Sequence, residues 1–135
     1  VNIKQVTYKE LKTLAGKRKQ IELCLLGWLQ DFADPSNFLD PLFNGKSITN
    51  TASLNRAFYS NPKVNALLNR AAVLPNQAER LKLYRAAEEQ IVRDAPWVFL
   101  YHSERYVMKQ PWVEGYKLHP MWSARYEYIS TGGAS

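Results

Sequence analysis

Two aspartates in residues 27–43, GWLQDFADPSNFLDPLF, are the side chains whose chemistry stands out. Asp31 and Asp34 lie three residues apart, beside Phe32 and Pro35, in a run too apolar for an ordinary surface loop. A fixed carboxylate can accept charge-assisted hydrogen bonds from an ammonium or guanidinium group. Two carboxylates that face one bond could instead act as acid and base, as glycoside hydrolysis requires. Acidic residues at this spacing beside a proline are common in turns, so the pattern gives an enzyme little support.

The residues around Asp34 are typical of a turn or a helix cap, since Asp is followed by Pro, Ser and Asn. Asp40 and Pro41 repeat the local pattern. We therefore predict that Asp34 and Asp40 serve the fold rather than a ligand.

Other residue types with catalytic or metal-binding chemistry are sparse. His102 and His119 lie on β-rich segments, with no Ser, Cys or acidic residue at a recognisable catalytic spacing and no His-x-x-x-His pair. The single cysteine, Cys24, lies in the apolar run IELCLLGW and is predicted to be a buried, inert thiol. The sequence thus predicts no catalytic residues, no metal site and no cofactor.

The length of 135 residues fits one domain that is large enough to bury a hydrophobic core. Its formal charge is +6, from 18 Lys and Arg against 12 Asp and Glu, so a basic nucleic-acid or anionic-surface binder stays an alternative. The basic residues are scattered, however, and the densest cluster is KRKQ at residues 17–20.

No window approaches the roughly 18 apolar residues that a membrane span needs. The chain begins with Val1 in strand-like sequence, which suggests that it was cut from something longer.

The first third of the chain predicts a strand, a short helix and a second strand. Residues 1–8 alternate, Leu11 and Leu14 have helical spacing before Gly16, and residues 21–28 form a continuous apolar run. A run that is apolar on both faces suits a strand covered on both sides in a parallel or mixed sheet. Residues 27–31 would then lie just beyond the carboxyl end of a strand, where ligands bind in open α/β sheets.

Two helices are predicted in the middle of the chain. Asn61 is a candidate N-cap with Pro62 at the first helical position, and Pro75 ends that helix. Asn76 and Glu79 have capping-box spacing at the start of the next helix. The apolar stripe of this second helix is predicted to pack on the domain's own sheet; it consists of Ala78, Leu81, Tyr84, Ala87 and Ile91.

The segments after Pro96 are predicted to be β-rich, namely residues 97–110, 112–118 and 123–130. The Gly-Gly-Ala-Ser tail is predicted to be a frayed end. The order of elements, βαβ, loop, two helices and then strands, predicts an α/β or mixed α+β fold.

Four segments in order resemble the C-terminal part of the family 5 extracellular solute-binding proteins of ABC importers, the dipeptide, oligopeptide and nickel-binding group. They are LLGWLQDFADPSNFLDPLF, YSNPKVNALLNRAA, ERLKLYRAAEEQIVRDAPWVFLYH and VEGYKLHP. Phe32 stands where the family often has Tyr, and Asn65 where Asp is common. The resemblance implies one lobe of a periplasmic-binding-protein type II fold, a mixed sheet flanked by helices. Residues 1–120 would form part of the C-terminal ligand-binding lobe, and residues 121–135 the return segment toward the other lobe with a frayed tail.

By this resemblance, Asp31 pairs with the α-ammonium group of a bound peptide. An enclosed ammonium loses its water, so a carboxylate must be fixed beside it. The backbone of Gly27 to Gln30, including Leu29, could pair with an extended peptide as an added strand, and Gly27 would allow close approach. Trp28 offers a flat apolar wall for a ligand side chain, although a Trp in such a run is as often core.

The resemblance implies a non-enzymatic solute-binding protein, monomeric at full length, that delivers its ligand to an ABC permease and binds no nucleic acid. It would lie in the periplasm or outside the cell, as a lipoprotein anchored to the membrane. Such proteins are several times longer than this chain. A non-peptide solute, such as a nickel chelate, an oligosaccharide or an opine, stays open.

Overall fold

The structure is a computed structural model that describes residues 2–104, 106–119, 121 and 125–132. The chain divides into two compact units, one up to Val98 and the other from Phe99. None of the described helices is both long and apolar enough to cross a lipid bilayer.

The first unit is helical. It contains α1 (Tyr8–Ala15), α2 (Ser36–Phe43), a 3₁₀ turn (Gly45–Ser47), α3 (Pro62–Val73) and α4 (Gln77–Asp94). Helices α3 and α4 pack against each other, and α2 packs against both. The core is formed by the buried residues Leu42, Phe43, Val64, Leu68, Ala71, Tyr84, Ala87 and Ile91.

Local capping signals place the helix starts where the sequence predicts them. The Asn61 side chain accepts hydrogen bonds from the Lys63 and Val64 amides, with Pro62 as the first residue of α3. Asn76 Oδ1 accepts from the Glu79 amide at 3.1 Å, which caps α4. The predicted short helix before Gly16 is α1. These three helix predictions are confirmed.

The apolar stripe of α4 packs on helices rather than on a sheet, so that part of the prediction is wrong. Tyr84, Ala87 and Ile91 are buried in the core with residues of α2 and α3. Ala78 and Leu81, in the first turns of α4, are exposed. The buried stripe is therefore shorter than the periodicity predicts, because α2 and α3 cover only the later turns.

The two strands predicted in the first third are wrong for the described residues. Residues 2–7 and 21–28 have no regular secondary structure. Leu23 and Leu25 are 83% and 72% exposed, and Cys24 is exposed instead of buried. A strand exists only through hydrogen bonds to a neighbour. The described residues offer these two segments no partner strand, whatever their intrinsic preference.

The second unit contains the two short strands of the described residues. Strands β1 (Val113–Glu114) and β2 (Ser130–Thr131) pair antiparallel, with Val113 opposite Thr131. A 3₁₀ turn, Tyr126–Tyr128, precedes β2. The strand predicted over residues 97–110 is wrong for the described residues there, and the two later β-rich segments are strand only in part. Residues 122–124 and 133–135, including most of the predicted frayed tail, lie outside the described residues.

Candidate ligand-binding site

Asp34 organises the turn that leads into α2. Its Oδ1 accepts a hydrogen bond from the Ser36 amide at 2.9 Å, and its carbonyl accepts from the Asn37 amide at 3.0 Å. The Asp34 side chain thereby satisfies one of the backbone amides that are left free at the start of a helix. The prediction that Asp34 serves the fold as a turn residue is confirmed, and the N-cap of α2 is Pro35.

An ion pair connects the same carboxylate to α4. The Arg80 guanidinium donates to Asp34 Oδ2 at 2.7 Å, and both side chains are about three-quarters buried, with 24% and 26% exposed. Burial by itself would raise the pKa of Asp34, but the hydrogen bonds from Ser36 and the bond and charge of Arg80 outweigh it and leave the pKa lowered. The turn is thereby held to one of the two helices that build the core.

Asp40 is also structural, although not as a turn. It lies inside α2 together with Pro41. Its Oδ1 accepts from Asn44 Nδ2 at 2.9 Å and lies 3.3 Å from the Lys46 ammonium. Asp40 thus holds the residues that follow α2, and the predicted role in the fold is confirmed while the predicted turn is wrong.

Asn37 connects the turn to the predicted ligand contacts. Only 5% of its surface is exposed, and its Oδ1 accepts from the Trp28 indole N–H at 3.2 Å and from the Asp31 amide at 3.0 Å. Sequence reasoning missed this residue. The available signal was an Asn one position into a helix, directly after an Asp-Pro-Ser turn, which is a place where side chains bond to backbone.

The Asp31 side chain differs from the other three aspartates. Asp34 pairs with Arg80, Asp40 pairs with Lys46, and Asp94 accepts from the Tyr59 hydroxyl. Asp31 is exposed, and within the described ranges its carboxylate has no hydrogen-bond or ion-pair partner. Its backbone is fixed while its charge is left available.

The remaining predicted contact residues lie in the same continuous segment, outside any helix or strand. Gly27 is exposed, and a Cβ added there would meet nothing within 4 Å. Leu29 is 75% exposed, and Gln30 is half-buried. Trp28 is half-buried and packs against the core cluster. Gly27 and Leu29 of this segment are therefore accessible from solvent, whereas the Trp28 ring is held by its hydrogen bond to Asn37.

The arrangement suits recognition of a positively charged or hydrogen-bonding ligand. It offers a free carboxylate, open backbone and an aromatic ring whose N–H is already satisfied. Among the described residues there is no group of three or more His, Cys, Asp or Glu side chains that could hold a metal ion.

No protein-family profile matches the chain. It is 36% identical to heme-binding protein A of Haemophilus influenzae over 118 residues, 87% of this chain and 21% of that protein. A probable di/tripeptide-binding protein 5 of Pseudomonas aeruginosa is 32% identical over 88% of this chain and 22% of its own. The periplasmic oligopeptide-binding protein OppA of Escherichia coli is 30% identical, over 86% and 20%. The chain thus spans about a fifth of the length of these relatives, whose names describe binding proteins.

Solved structures of binding proteins share the fold. The periplasmic binding protein DppA of Helicobacter pylori, in complex with the peptide STSA, has a TM-score of 0.68 at 32% identity, over 72% of this chain and 19% of that one. Clavulanic acid biosynthesis oligopeptide binding protein 2 has a TM-score of 0.87 at 25% identity, over 98% and 25%. The chain, a mixture of helices and a small sheet, therefore has the fold of part of a periplasmic binding protein, consistent with the predicted mixed α/β lobe.

Proposed function

Since the chain belongs to the family 5 extracellular solute-binding proteins, we propose that it helps to bind di- or oligopeptides for import by an ABC transporter. In this proposal Asp31 pairs with the ammonium group at the N-terminus of the peptide. The protein acts by binding and release, without catalysis.

The observation that carries the proposal is the free carboxylate of Asp31 on a fixed backbone. Its amide is bonded to buried Asn37, whereas its side chain is exposed and unpaired within the described ranges. A peptide ammonium that is enclosed by protein needs such a partner, since an unpaired buried charge is strongly unfavourable. A hydrogen bond to a charged group contributes about 1.5–3 kcal/mol, and removal of one partner of a buried pair costs about 3–5 kcal/mol.

The open segment beside Asp31 supports recognition of a peptide backbone. Gly27 and Leu29 are exposed and belong to no strand, so an extended peptide could pair with residues 27–30, Gln30 included. Main-chain hydrogen bonds of this kind give affinity without selecting ligand side chains. Trp28, held by Asn37, would form one wall of a side-chain pocket.

Enclosure of the ligand needs a second surface, which the relatives' greater length could supply. We assign residues 1–120 to part of the C-terminal lobe and residues 121–135 to the segment that returns toward the other lobe. Closure of two lobes on the ligand would then follow the hinge motion of such proteins. The working protein would be a monomer in the periplasm or on the cell surface, anchored to the membrane beside its permease.

A non-peptide solute is the second candidate, because the 36% identical relative is named a heme-binding protein. Heme, a nickel chelate, an oligosaccharide or an opine could occupy the same place on the fold. The free carboxylate of Asp31 favours a ligand with an amine. A basic nucleic-acid or anionic-surface binder is a weaker alternative that rests on the charge of +6. Its affinity would fall steeply with salt, whereas an enclosed ammonium–carboxylate pair is screened much less.

Native mass spectrometry of the protein at its full natural length, gently purified, tests the proposal. A series of peptide masses carried by the protein is the expected result and would give the preferred length. One sharp non-peptide mass, a metal, or a heme absorption band would keep the family and refute the peptide.

A further inference from the structure

We propose that Asn37 is a positioning residue that holds Asp31 and Trp28 in the geometry needed to bind the ammonium end of a peptide. The inference rests on the proposed function, because it concerns how the same site is built. Asn37 itself would not touch the ligand.

The geometry of one oxygen atom carries the inference. Asn37 Oδ1 accepts from the Trp28 indole at 3.2 Å and from the Asp31 amide at 3.0 Å, and the residue is 5% exposed. A carbonyl oxygen has two acceptor positions, and both are used here. Loss of this acceptor would leave two N–H groups without their partner in a partly buried place, which is unfavourable. The indole and the carboxylate-bearing residue are therefore fixed together by a single atom.

Asn37 can act as a fixed point because α2 is anchored at both ends. At its start, the Asn37 amide donates to the Asp34 carbonyl at 3.0 Å, and Asp34 is paired with Arg80 of α4. At its end, Leu42 and Phe43 are buried in the core. Movement of Asn37 would require movement of α2 against α3 and α4, so the core sets the position of Asp31.

The acceptor role predicts which replacements the site tolerates. Asn37→Asp keeps the shape and an oxygen that can accept both hydrogen bonds. Asn37→Leu keeps a similar volume but has no acceptor. If Asn37 only filled space, Asn37→Leu should disturb the site less than Asn37→Asp, because Leu does not place a charged carboxylate in a buried position.

Isothermal titration calorimetry on the protein at its full natural length can test this with trialanine and N-acetyl-trialanine. Asn37→Leu should weaken trialanine binding by about tenfold or more, equivalent to about 1.4 kcal/mol. Asn37→Asp should stay within about threefold of wild type, and N-acetyl-trialanine should be little affected by either change. In an Asp31→Asn background, Asn37→Leu should cost much less than it does alone, because both changes remove the same interaction.

Asn65→Leu is the matched control. Asn65 also accepts from a backbone amide, that of Gly45 at 2.8 Å, and donates to Ser60 Oγ at 3.1 Å. Its loss should lower stability without selective loss of the free-amine peptide. If Asn65→Leu and Asn37→Leu weaken trialanine binding equally, the positioning role is refuted.

The outcomes separate the inference from the function on which it rests. No peptide binding by wild type, or unchanged binding by Asp31→Asn, would refute the proposed function. Loss of binding in Asp31→Asn together with wild-type affinity in Asn37→Leu would refute only the positioning role.

Hydrogen exchange of the unmutated protein gives a test that does not depend on folding of Asn37→Leu. The Asp31 amide and the Trp28 indole N–H should both be protected, and exchange as fast as in an unfolded chain would refute the hydrogen bonds to Asn37.

Discussion

Asp31 and Asp34 are three residues apart, and the structure predicts different effects on stability when each is replaced by Ala. Asp34→Ala removes the acceptor for the Ser36 amide and the partner of Arg80. A lost hydrogen bond to a backbone amide costs about 1 kcal/mol, and a mostly buried ion pair is at the upper end of the roughly 0–1 kcal/mol found for surface pairs. We expect a loss of about 2 kcal/mol in the free energy of unfolding. Asp31→Ala should stay within about 0.5 kcal/mol of wild type, since its side chain has no partner within the described ranges.

Urea unfolding of this chain, followed by circular dichroism at a helix wavelength, measures both effects. With a slope of about 2 kcal/mol per molar urea, the midpoint for Asp34→Ala should fall by about 1 M. Equal midpoints for the two variants, or a larger shift for Asp31→Ala, would refute the division of roles.

The pH dependence of the Asp34 effect follows from its lowered pKa. Burial opposes this shift, and the bonds from Ser36 and Arg80 produce it. A carboxylate with a lowered pKa in the folded state stabilises the protein above its ordinary pKa of 3.8, and the stabilisation is lost as pH falls through the folded value. The stability difference between wild type and Asp34→Ala should therefore be constant near neutral pH and shrink below pH 3.8.

Three further predictions concern the fold. Leu68→Ala, at a fully buried position of α3, should cost about 2–5 kcal/mol in urea unfolding, whereas Val73→Ala on the same helix, 79% exposed, should cost under about 0.5. Gly45→Ala should cost about 1–3 kcal/mol, since its Cβ would clash with the side chains of Ser60 and Asn65, while Gly27→Ala has open space and should unfold like wild type. Equal effects within either pair would contradict the packing. Hydrogen bonds from Tyr59, then Asn61 and Gln90, lower the pKa of Asp94. The stability that this carboxylate contributes should therefore be lost as pH falls below its ordinary pKa of 3.8. In an acid titration of stability, Asp94→Asn should show a weaker dependence on pH than wild type.

The helices could be predicted from the sequence because their signals are local. Asn61 before Pro62, and Asn76 three residues before Glu79, act through hydrogen bonds within one turn, and the structure has both caps. The structural role of Asp34 was predictable for the same reason, since the adjacent Pro35 and Ser36 indicate a turn. Such features need no knowledge of the rest of the fold.

Features that depend on distant partners could not be predicted in this way. The apolar run at residues 21–28 has the composition of a buried strand, but no described strand lies beside it, and Cys24 is exposed as a result. The same holds for residues 97–104 and 106–110. The partner of Asp34, Arg80, is 46 positions away along the chain, and no residue near Asp34 in the sequence indicates this ion pair.

The candidate site could be predicted from the sequence only in part. Asp31, Trp28 and their neighbours were singled out by the sequence, and their role in binding stays a prediction. Asn37 was missed because its importance lies in one oxygen that bonds to residues six and nine positions earlier. The geometry also explains why Asp31 and Asp34 differ, although they lie only three residues apart.

Whether Asp31 binds the peptide ammonium is tested most directly by calorimetric titration of a free tripeptide into wild type and Asp31→Ala, both at full natural length. Loss of a buried ion-pair partner costs about 3–5 kcal/mol, so binding to Asp31→Ala should be at least about a hundredfold weaker. The N-acetylated tripeptide should bind both proteins with the same low affinity. Unchanged affinity of Asp31→Ala for the free tripeptide would remove Asp31 from the site and refute its role in binding the ammonium group.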